Sequence, residues 1–112
     1  MINIFEDLAD IGAPVYEDGN APEDLPNEYY TVLEDSTSDN LNADNQTKEI
    51  LYEFTLKYYT KNAANIYSGL IRAQDHLKAK GYIISGVGYY NSTYKNTWFS
   101  RQADIKKIEY LN

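Results

Sequence analysis

The stretch ILYEFTLKYYTKNAANIYSGLIRAQDHLKAKG, residues 50–81, contains the two clearest structural patterns in the chain. Over residues 50–59 one set of alternate positions is entirely apolar or aromatic, and this period of two predicts a strand with one buried face. The residues that follow carry an apolar stripe at helical spacing, formed by Ile66, Leu70, Ala73 and Leu77. The stretch therefore predicts a strand followed by a helix, which Asn62 precedes and Gly81 stops.

The sequence before this stretch predicts shorter elements. Residues 3–11 have near-helical spacing with Asn3 as a candidate N-cap, and residues 14–17 form a short strand. Residues 18–27 are dense in turn formers and predict a loop. Residues 28–35 are rich in Tyr and other strand formers, so they predict a second strand.

The segment between the two predicted strands is strongly polar. Residues 36–47 consist mostly of Ser, Thr, Asn and Asp, and Leu41 is the one residue that could make a core contact. Such a segment buries little apolar surface, so we expect a mobile hairpin tip over residues 36–47.

The sequence after the helix predicts two further strands. Residues 82–87 form a strand, residues 90–96 a polar turn, and residues 97–110 a last long strand. The resulting order of elements predicts an α+β fold in one domain over residues 1–112. Its antiparallel sheet has four to five strands, with two helices packed on one face.

The apolar positions of the last strand change parity along its length. Phe99, Ala103 and Ile105 share one parity, whereas Ile108 and Tyr110 share the other. An extra residue would restore the register, so we expect a β-bulge near Lys106 and Lys107.

The composition excludes several kinds of chemistry. The 112 residues include no Cys, which rules out disulfides, thiolate zinc sites and a Cys nucleophile. His76 is the one imidazole, and the Asp- and Asn-rich residues 35–45 lack the order of an EF-hand loop. We therefore expect no metal and no cofactor. The composition does not exclude a pair of carboxylates for acid and base catalysis, but the acidic residues are concentrated in predicted loops.

Membrane insertion is also not indicated. No run approaches the 18 or so apolar residues of a membrane span, and the amino terminus lacks a basic region before an apolar stretch. We expect a protein that is made in a cytoplasm, or assembles there.

The net charge of −7 is divided unevenly along the chain. Residues 1–47 hold twelve acidic side chains and no Lys or Arg, whereas residues 48–112 hold ten basic side chains and five acidic ones. The basic residues are not clustered as DNA binding requires. Two interpretations stay open: chance in a small acidic protein, or a subunit whose negative face meets a positive face of its neighbour.

The twelve tyrosines allow two interpretations as well. Tyr is favoured in strands, which most of them occupy in this prediction. Tyr also lines protein interfaces, because it adds contact area at low entropy cost.

Several segments resemble a known family in type and order. They are IGAPVY (11–16), APEDLP (21–26), EYYT (28–31) and KGYIISGVGY (80–89), together with the central strand, Tyr67 and Leu70 of the helix, and an apolar end to the last strand. The chain is thereby similar, over almost its whole length, to the tail-terminator or tail-to-head joining (neck) proteins of siphophages from Gram-positive hosts.

The resemblance implies a structural virion protein without enzyme activity. It also implies a subunit that forms a homo-oligomeric, hexameric ring, which caps the tail tube and ends its polymerisation. Its partners are copies of itself, the major tail tube protein and the head-completion or connector protein, and DNA only passes through the channel. Opposed charged halves fit the head-to-tail contacts that a closed ring needs.

We expect the contact residues at three places. An acidic tip with Asp35, Asp39 and Asp44 would face the channel or the tube and repel phosphates. The loop at residues 21–26 contributes Glu23 and Asp24. The basic contact residues opposite acidic neighbours are Lys57, Arg101, Lys106 and Lys107.

An alternative function is an acidic inhibitor, either an immunity protein or a DNA mimic that occupies the basic groove of a nuclease. Such a mimic needs many carboxylates on one rigid face, whereas the predicted acidic residues lie mostly on loops. Stoichiometry separates the two functions, because an inhibitor binds its partner one to one. An enzyme ranks third, since it requires a pocket with a perturbed carboxylate or His76.

Overall fold

The structure is a computed structural model that describes residues 2–41, 48–94 and 98–111. The fold is built on one β-sheet. In chain order the elements of the fold are α1 (Ile4–Asp7), β1 (Val15–Glu17), β2 (Glu28–Leu41), β3 (Lys48–Thr60), a 3₁₀ turn (Ala63–Asn65), α2 (Ile66–Lys78), β4 (Tyr89–Tyr94) and β5 (Trp98–Leu111). The α+β class predicted from the sequence is confirmed.

The five strands form one sheet in the order β1-β2-β3-β5-β4. The β2–β3, β3–β5 and β4–β5 pairs are antiparallel, as predicted, whereas β1 runs parallel to β2. The parallel pair arises because the loop predicted over residues 18–27 carries the chain back before β2 begins. The sheet is therefore mixed, with β1 as a short edge strand.

Both helices pack on the same face of the sheet, as predicted. The shared core contains Ile4, Leu8, Ile11, Tyr30, Val32, Phe54, Leu56, Tyr58, Leu70, Ala73, Leu77, Tyr82, Ala103 and Ile105. Each large apolar side chain buried there contributes about 1.5–3 kcal/mol to folding. The strand residues of this core lie in the part of the sheet that the helices cover, over residues 30–32, 54–58 and 103–105.

The ends of the helices follow the predicted signals. The Asn3 side chain accepts from the Phe5 and Glu6 amides at 3.1 and 3.3 Å, and Asn62 caps the 3₁₀ turn before α2. Gly81 has a φ of 91°, and the Tyr82 amide donates back to the Leu77 carbonyl. Only α1 differs, because it ends at Asp7 instead of Ile11.

Three strand boundaries differ from the prediction. β2 continues through Leu41, so that the connection to β3 is shorter than the predicted tip over residues 36–47 and lies outside the described residues. Residues 82–87 make a single bridge at Ile83 instead of a strand, and β4 occupies most of the predicted turn at 90–96. Pairing with a long neighbouring strand supplies hydrogen bonds to polar sequences whose composition alone indicates a loop.

The predicted bulge near Lys106 and Lys107 is wrong. The register between β3 and β5 is continuous from Lys48 opposite Leu111 to Thr60 opposite Phe99. The bulge lies in β2 instead, where Asp35 is the extra residue between Glu34 and Ser36.

The closest approach of helix and sheet occurs at Gly69. The ring of Tyr58 occupies the position that a Cβ atom at residue 69 would take. The Tyr30 hydroxyl, on the neighbouring strand, donates to the Gly69 carbonyl at 2.6 Å. Gly69 therefore lets α2 lie directly on two tyrosines of the sheet.

A polar network surrounds this contact. Arg72 donates to Glu28 at 2.7 Å and to the Tyr30 hydroxyl at 3.0 Å, and the Tyr58 hydroxyl donates to Glu28 at 3.0 Å. Burial raises the pKa of Tyr58 to about 12, with the hydrogen bond to Glu28 adding to the effect. Burial also raises the pKa of Tyr30, although the bond from Arg72 opposes it.

The first prediction concerns Gly69. We expect Gly69→Ala to lower the free energy of unfolding by about 1–3 kcal/mol, because the Tyr58 ring must move, even though Ala is the better helix former. Urea denaturation measures the change, and Ser68→Ala at the adjacent exposed position should alter stability by less than about 0.5 kcal/mol. Equal stability of the two variants would contradict the close packing.

The second prediction concerns alkaline pH. An unfolded tyrosine loses its proton near pH 10, whereas folded Tyr58 keeps it to about pH 12. Its contribution to the free energy of unfolding is therefore complete below pH 10 and is lost as the pH rises to 12. Urea midpoints from pH 8 to 12 should fall above pH 10, less steeply in Tyr58→Phe than in Tyr110→Phe, whose ring is exposed.

Candidate assembly surface

The sheet extends beyond the helices as a three-stranded projection, which we call the arm. It comprises residues 36–41 of β2, 48–53 of β3 and 106–111 of β5. Ser36, Glu53 and Lys106 are aligned at its base, and Leu41, Lys48 and Leu111 at its far end. At about 3.4 Å per residue the arm is roughly 20 Å long, within a molecule 54 Å in its longest dimension.

The arm lacks the packing that covers the rest of the sheet. Of its side chains that the structure describes, each is exposed or half-buried. One step nearer the helices, Phe54 and Ile105 are at most 4% exposed. A three-stranded sheet normally needs an apolar face covered by other elements, so the arm is the least supported part of the fold.

The helix-distal face of the remaining sheet has its own aromatic cluster. Tyr29 stacks on Tyr59 with ring centroids 4.7 Å apart, contacts the edge of Trp98 at 5.3 Å and lies 5.9 Å from Tyr16. Tyr29 and Trp98 are buried, and the Lys61 ammonium lies over the Trp98 ring. Both faces of the sheet are thus covered near the helices, in contrast to the arm.

Apolar side chains occur on both faces of the arm. On the helix-distal face, Leu51 and Ile108 are direct cross-strand neighbours, and Tyr110 two residues further is 62% exposed. On the other face, Ile50 lies beyond Tyr52, which stacks on Phe54. These five arm residues were not among the predicted contact residues.

The change of parity in β5 was the signal for the second apolar face. Ile105 faces the helices, whereas Ile108 and Tyr110 face the opposite side of the same unbroken strand. A strand with a single apolar face would need a bulge at this change of parity, and this was the reason for the predicted bulge. The strand instead changes which of its faces is apolar when it passes from the body into the arm.

The predicted acidic contact residues of β2 lie on opposite faces of the sheet. Asp35 accepts from the Thr55 hydroxyl at 2.7 Å on the helix-distal face, whereas Asp39 is aligned with Ile50 on the helix side. One sheet face therefore cannot present both carboxylates to a channel. Asp44 lies outside the described residues, and Glu23 and Asp24 are exposed on the loop before β2.

The predicted basic contact residues divide into two groups. Three have contacts within their own chain. Lys57 lies 3.9 Å from Asp18, Arg101 donates to the Val87 and Gly88 carbonyls, and Lys107 donates to the Lys80 carbonyl and lies over the Tyr82 ring.

Lys106 forms the second group. Its side chain is exposed at the base of the arm, and its strand neighbour in β3 is Glu53. Lys106 is therefore the predicted basic residue that is best placed for a contact outside the subunit.

Ion pairs within the chain join its acidic and basic halves. Glu28 contacts Arg72 at 2.7 Å, and Asp10 contacts His76 at 2.8 Å and Lys80 at 3.9 Å. Part of the charge division seen in the sequence is therefore used in contacts within the subunit. The arm keeps some of the division across its width, with Asp39 in β2 and Lys106, Lys107 and Glu109 in β5.

The surface offers shallow grooves. One of them, about 420 Å³, lies between the Ile83 bridge and β4 and is lined by residues such as Val87, Tyr89 and Asp104. Within the described ranges, no three His, Cys, Asp or Glu side chains are grouped to hold a metal ion. In the same ranges no helix has the length and apolar character to span a bilayer. The arm is thus the most distinctive surface feature.

No protein-family model matches the chain, and no curated protein matches it.

The third prediction concerns the stability of the arm. In the isolated subunit we expect amides of residues 49–53 to exchange with deuterium at least about tenfold faster than those of residues 54–58, because the side chains of residues 49–53 are only half-buried, whereas Phe54, Leu56 and Tyr58 are buried. Hydrogen exchange followed by mass spectrometry of short peptides makes the comparison within one strand. Equal protection of the two segments would show that the arm is as stable as the body.

Proposed function

We propose that the protein is a structural subunit of a phage neck that assembles into a ring, caps the tail tube and joins the tail to the head. The observation that carries the proposal is the arm, which has apolar residues on both faces. Ile50, Leu51, Tyr52 and Ile108 are half-buried there, and Tyr110 is exposed. Such surfaces are typical of subunits that complete their packing in an assembly. The resemblance of several sequence segments to siphophage neck proteins supplies the particular assembly.

The charges of the arm support contacts between unlike surfaces. A closed ring with one kind of subunit is built from heterologous contacts, in which one patch meets a different patch. The β2 side of the arm and its bulge carry Glu34, Asp35 and Asp39, whereas the β5 side carries Lys106 and Lys107 together with Glu109. The acidic β2 edge of one subunit, its acidic patch, can thus meet the exposed Lys106 of the next.

A second candidate function is an acidic inhibitor of a basic nuclease. The structure favours it in one respect, because Glu34 and Asp35 belong to a strand and accept hydrogen bonds from Thr37 and Thr55 at 2.5 and 2.7 Å. Carboxylates held in this way are better placed to imitate phosphates than carboxylates on loops. An inhibitor would form a one-to-one, salt-sensitive complex and would not cap tubes.

The fourth prediction tests the neck function directly. Purified protein mixed with tail tubes should form rings or caps at one tube end in negative-stain electron microscopy. Lys106→Glu should lower the fraction of capped ends, at a cost of about 1 kcal/mol per contact, because it places a negative charge opposite the acidic patch. If tubes stay uncapped and the protein forms a stable one-to-one complex with a nuclease, the neck function is wrong and the inhibitor function is supported.

A matched control separates assembly from folding. Lys78→Glu makes the same change of charge at the exposed C-terminal end of α2, outside the strands of the arm, and should leave capping unchanged. Thermal unfolding of both variants checks that each remains folded. Lys106 is preferred to Lys107, because replacing Lys107 also removes its contacts with Tyr82 and Lys80.

A further inference from the structure

We call an edge of the arm free where no strand among the described residues lies beside it, and one such edge is on β5. Lys106 exchanges two hydrogen bonds with Ile83 on the side away from β3, at 2.8 and 3.0 Å. Peptide groups alternate sides along a strand, so the N–H and C=O of Ile108 and Tyr110 also point away from β3. In the part of the chain that the structure describes, no strand lies beside this edge beyond the Ile83 bridge.

The opposite edge of the arm is free on β2. Near the body, the Val32 carbonyl accepts from the Asp18 amide at 2.9 Å, and β1 ends there. Past the bulge, Ser36 and Ser38 are the residues whose peptide groups face β3, so those of Thr37 and Asp39 point outward. No described strand covers this edge either.

We propose that the free edge of β5 in one copy pairs with the free edge of β2 in the next, so that neighbouring arms form one continuous sheet. The inference rests on the ring of the proposed function and specifies how its subunits meet. Backbone hydrogen bonds supply the contact, as in other cases where a strand is added to a sheet edge.

The charges favour this pairing over two-fold pairing of like edges. Two β2 edges would bring the acidic residues Glu34, Asp35 and Asp39 together, and two β5 edges would bring lysines together, and like charges across strands are destabilising. Lysines on a free edge also discourage pairing with unrelated strands, whereas a neighbouring edge that carries acidic residues attracts the lysines. The contact is therefore heterologous.

Symmetry determines the direction of the pairing. β2 and β5 are both antiparallel to β3, so they run parallel to each other within one subunit. Rotation about a ring axis preserves the direction of each strand along that axis. β5 and the β2 strand of the neighbouring copy must then run parallel, with Ile108 near the neighbour's Ser38 when the two arms are level.

Engineered disulfides test the pairing, because the chain has no Cys of its own. Ser38→Cys is combined in turn with Lys106→Cys, Ile108→Cys and Tyr110→Cys, which step along the same face of β5. Within one subunit residues 38 and 108 are separated by β3, about 10 Å apart and too far for a disulfide. Oxidation of assembled protein should give a ladder of covalent oligomers in at least one combination and no ladder in any single variant.

The other outcomes are distinct. Dimers from a single Cys variant would show two-fold pairing of like edges and overturn the proposal. Rings that give no cross-link in any combination would also overturn it, while leaving the neck function standing. Absence of rings, caps and cross-links would overturn both.

A backbone variant checks that hydrogen bonds form the contact. Ile108→Pro removes an N–H that points away from β3, which an edge strand tolerates, whereas Ile108→Val keeps it. The proline variant should lose rings and the valine variant should retain them, with both folded by thermal unfolding. Rings formed by the proline variant would contradict pairing at this edge.

Discussion

The contact between Gly69 and Tyr58 determines how the rest of the molecule is arranged. Because residue 69 has no side chain, α2 lies on the sheet closely enough for Tyr30 to donate to its backbone and for Arg72 to reach Glu28. This position sets α2 over the half of the sheet that contains Leu56 and Ala103. The sheet extends further than the helices that cover it, and the part of the sheet beyond the helices is the arm.

Much of the body could be predicted from the sequence. The strand β3 and the helix α2 follow from apolar periods of two and of three to four, and the caps Asn3, Asn62 and Gly81 mark the ends that the structure shows. These signals are local, because they depend on which side chains share one face. The core residues of these elements follow from the same reasoning.

The arm could not be predicted in the same way. Residues 36–41 are polar, and their strand structure comes from a partner that begins at Lys48, which a local pattern does not reveal. The apolar residues Ile108 and Tyr110 were visible in the sequence, but they were assigned to the core face. Their position became clear only from the unbroken register of β5.

The charged residues show a similar division between pattern and position. The first part of the chain is acidic and the second part basic, yet the two parts also contact each other within one subunit. Glu28 pairs with Arg72, and Asp10 with Lys80. Of the basic residues predicted to make outside contacts, Lys57 and Arg101 are engaged in their own chain. Lys106 is therefore identified as a candidate contact residue by its exposure and its neighbours, which depend on the tertiary fold and not on its charge alone.

The width of the arm also bears on the size of any closed ring that it lines. Three strands at a spacing of about 4.8 Å contribute roughly 14 Å to the circumference, and more when the strands tilt. With strands tilted by about 40°, six copies would supply eighteen strands and a backbone diameter of about 35 Å, which would leave a bore of roughly 25 Å inside the side chains. In such a ring the number of strands in each arm would set the bore, which would be on the scale of a DNA duplex.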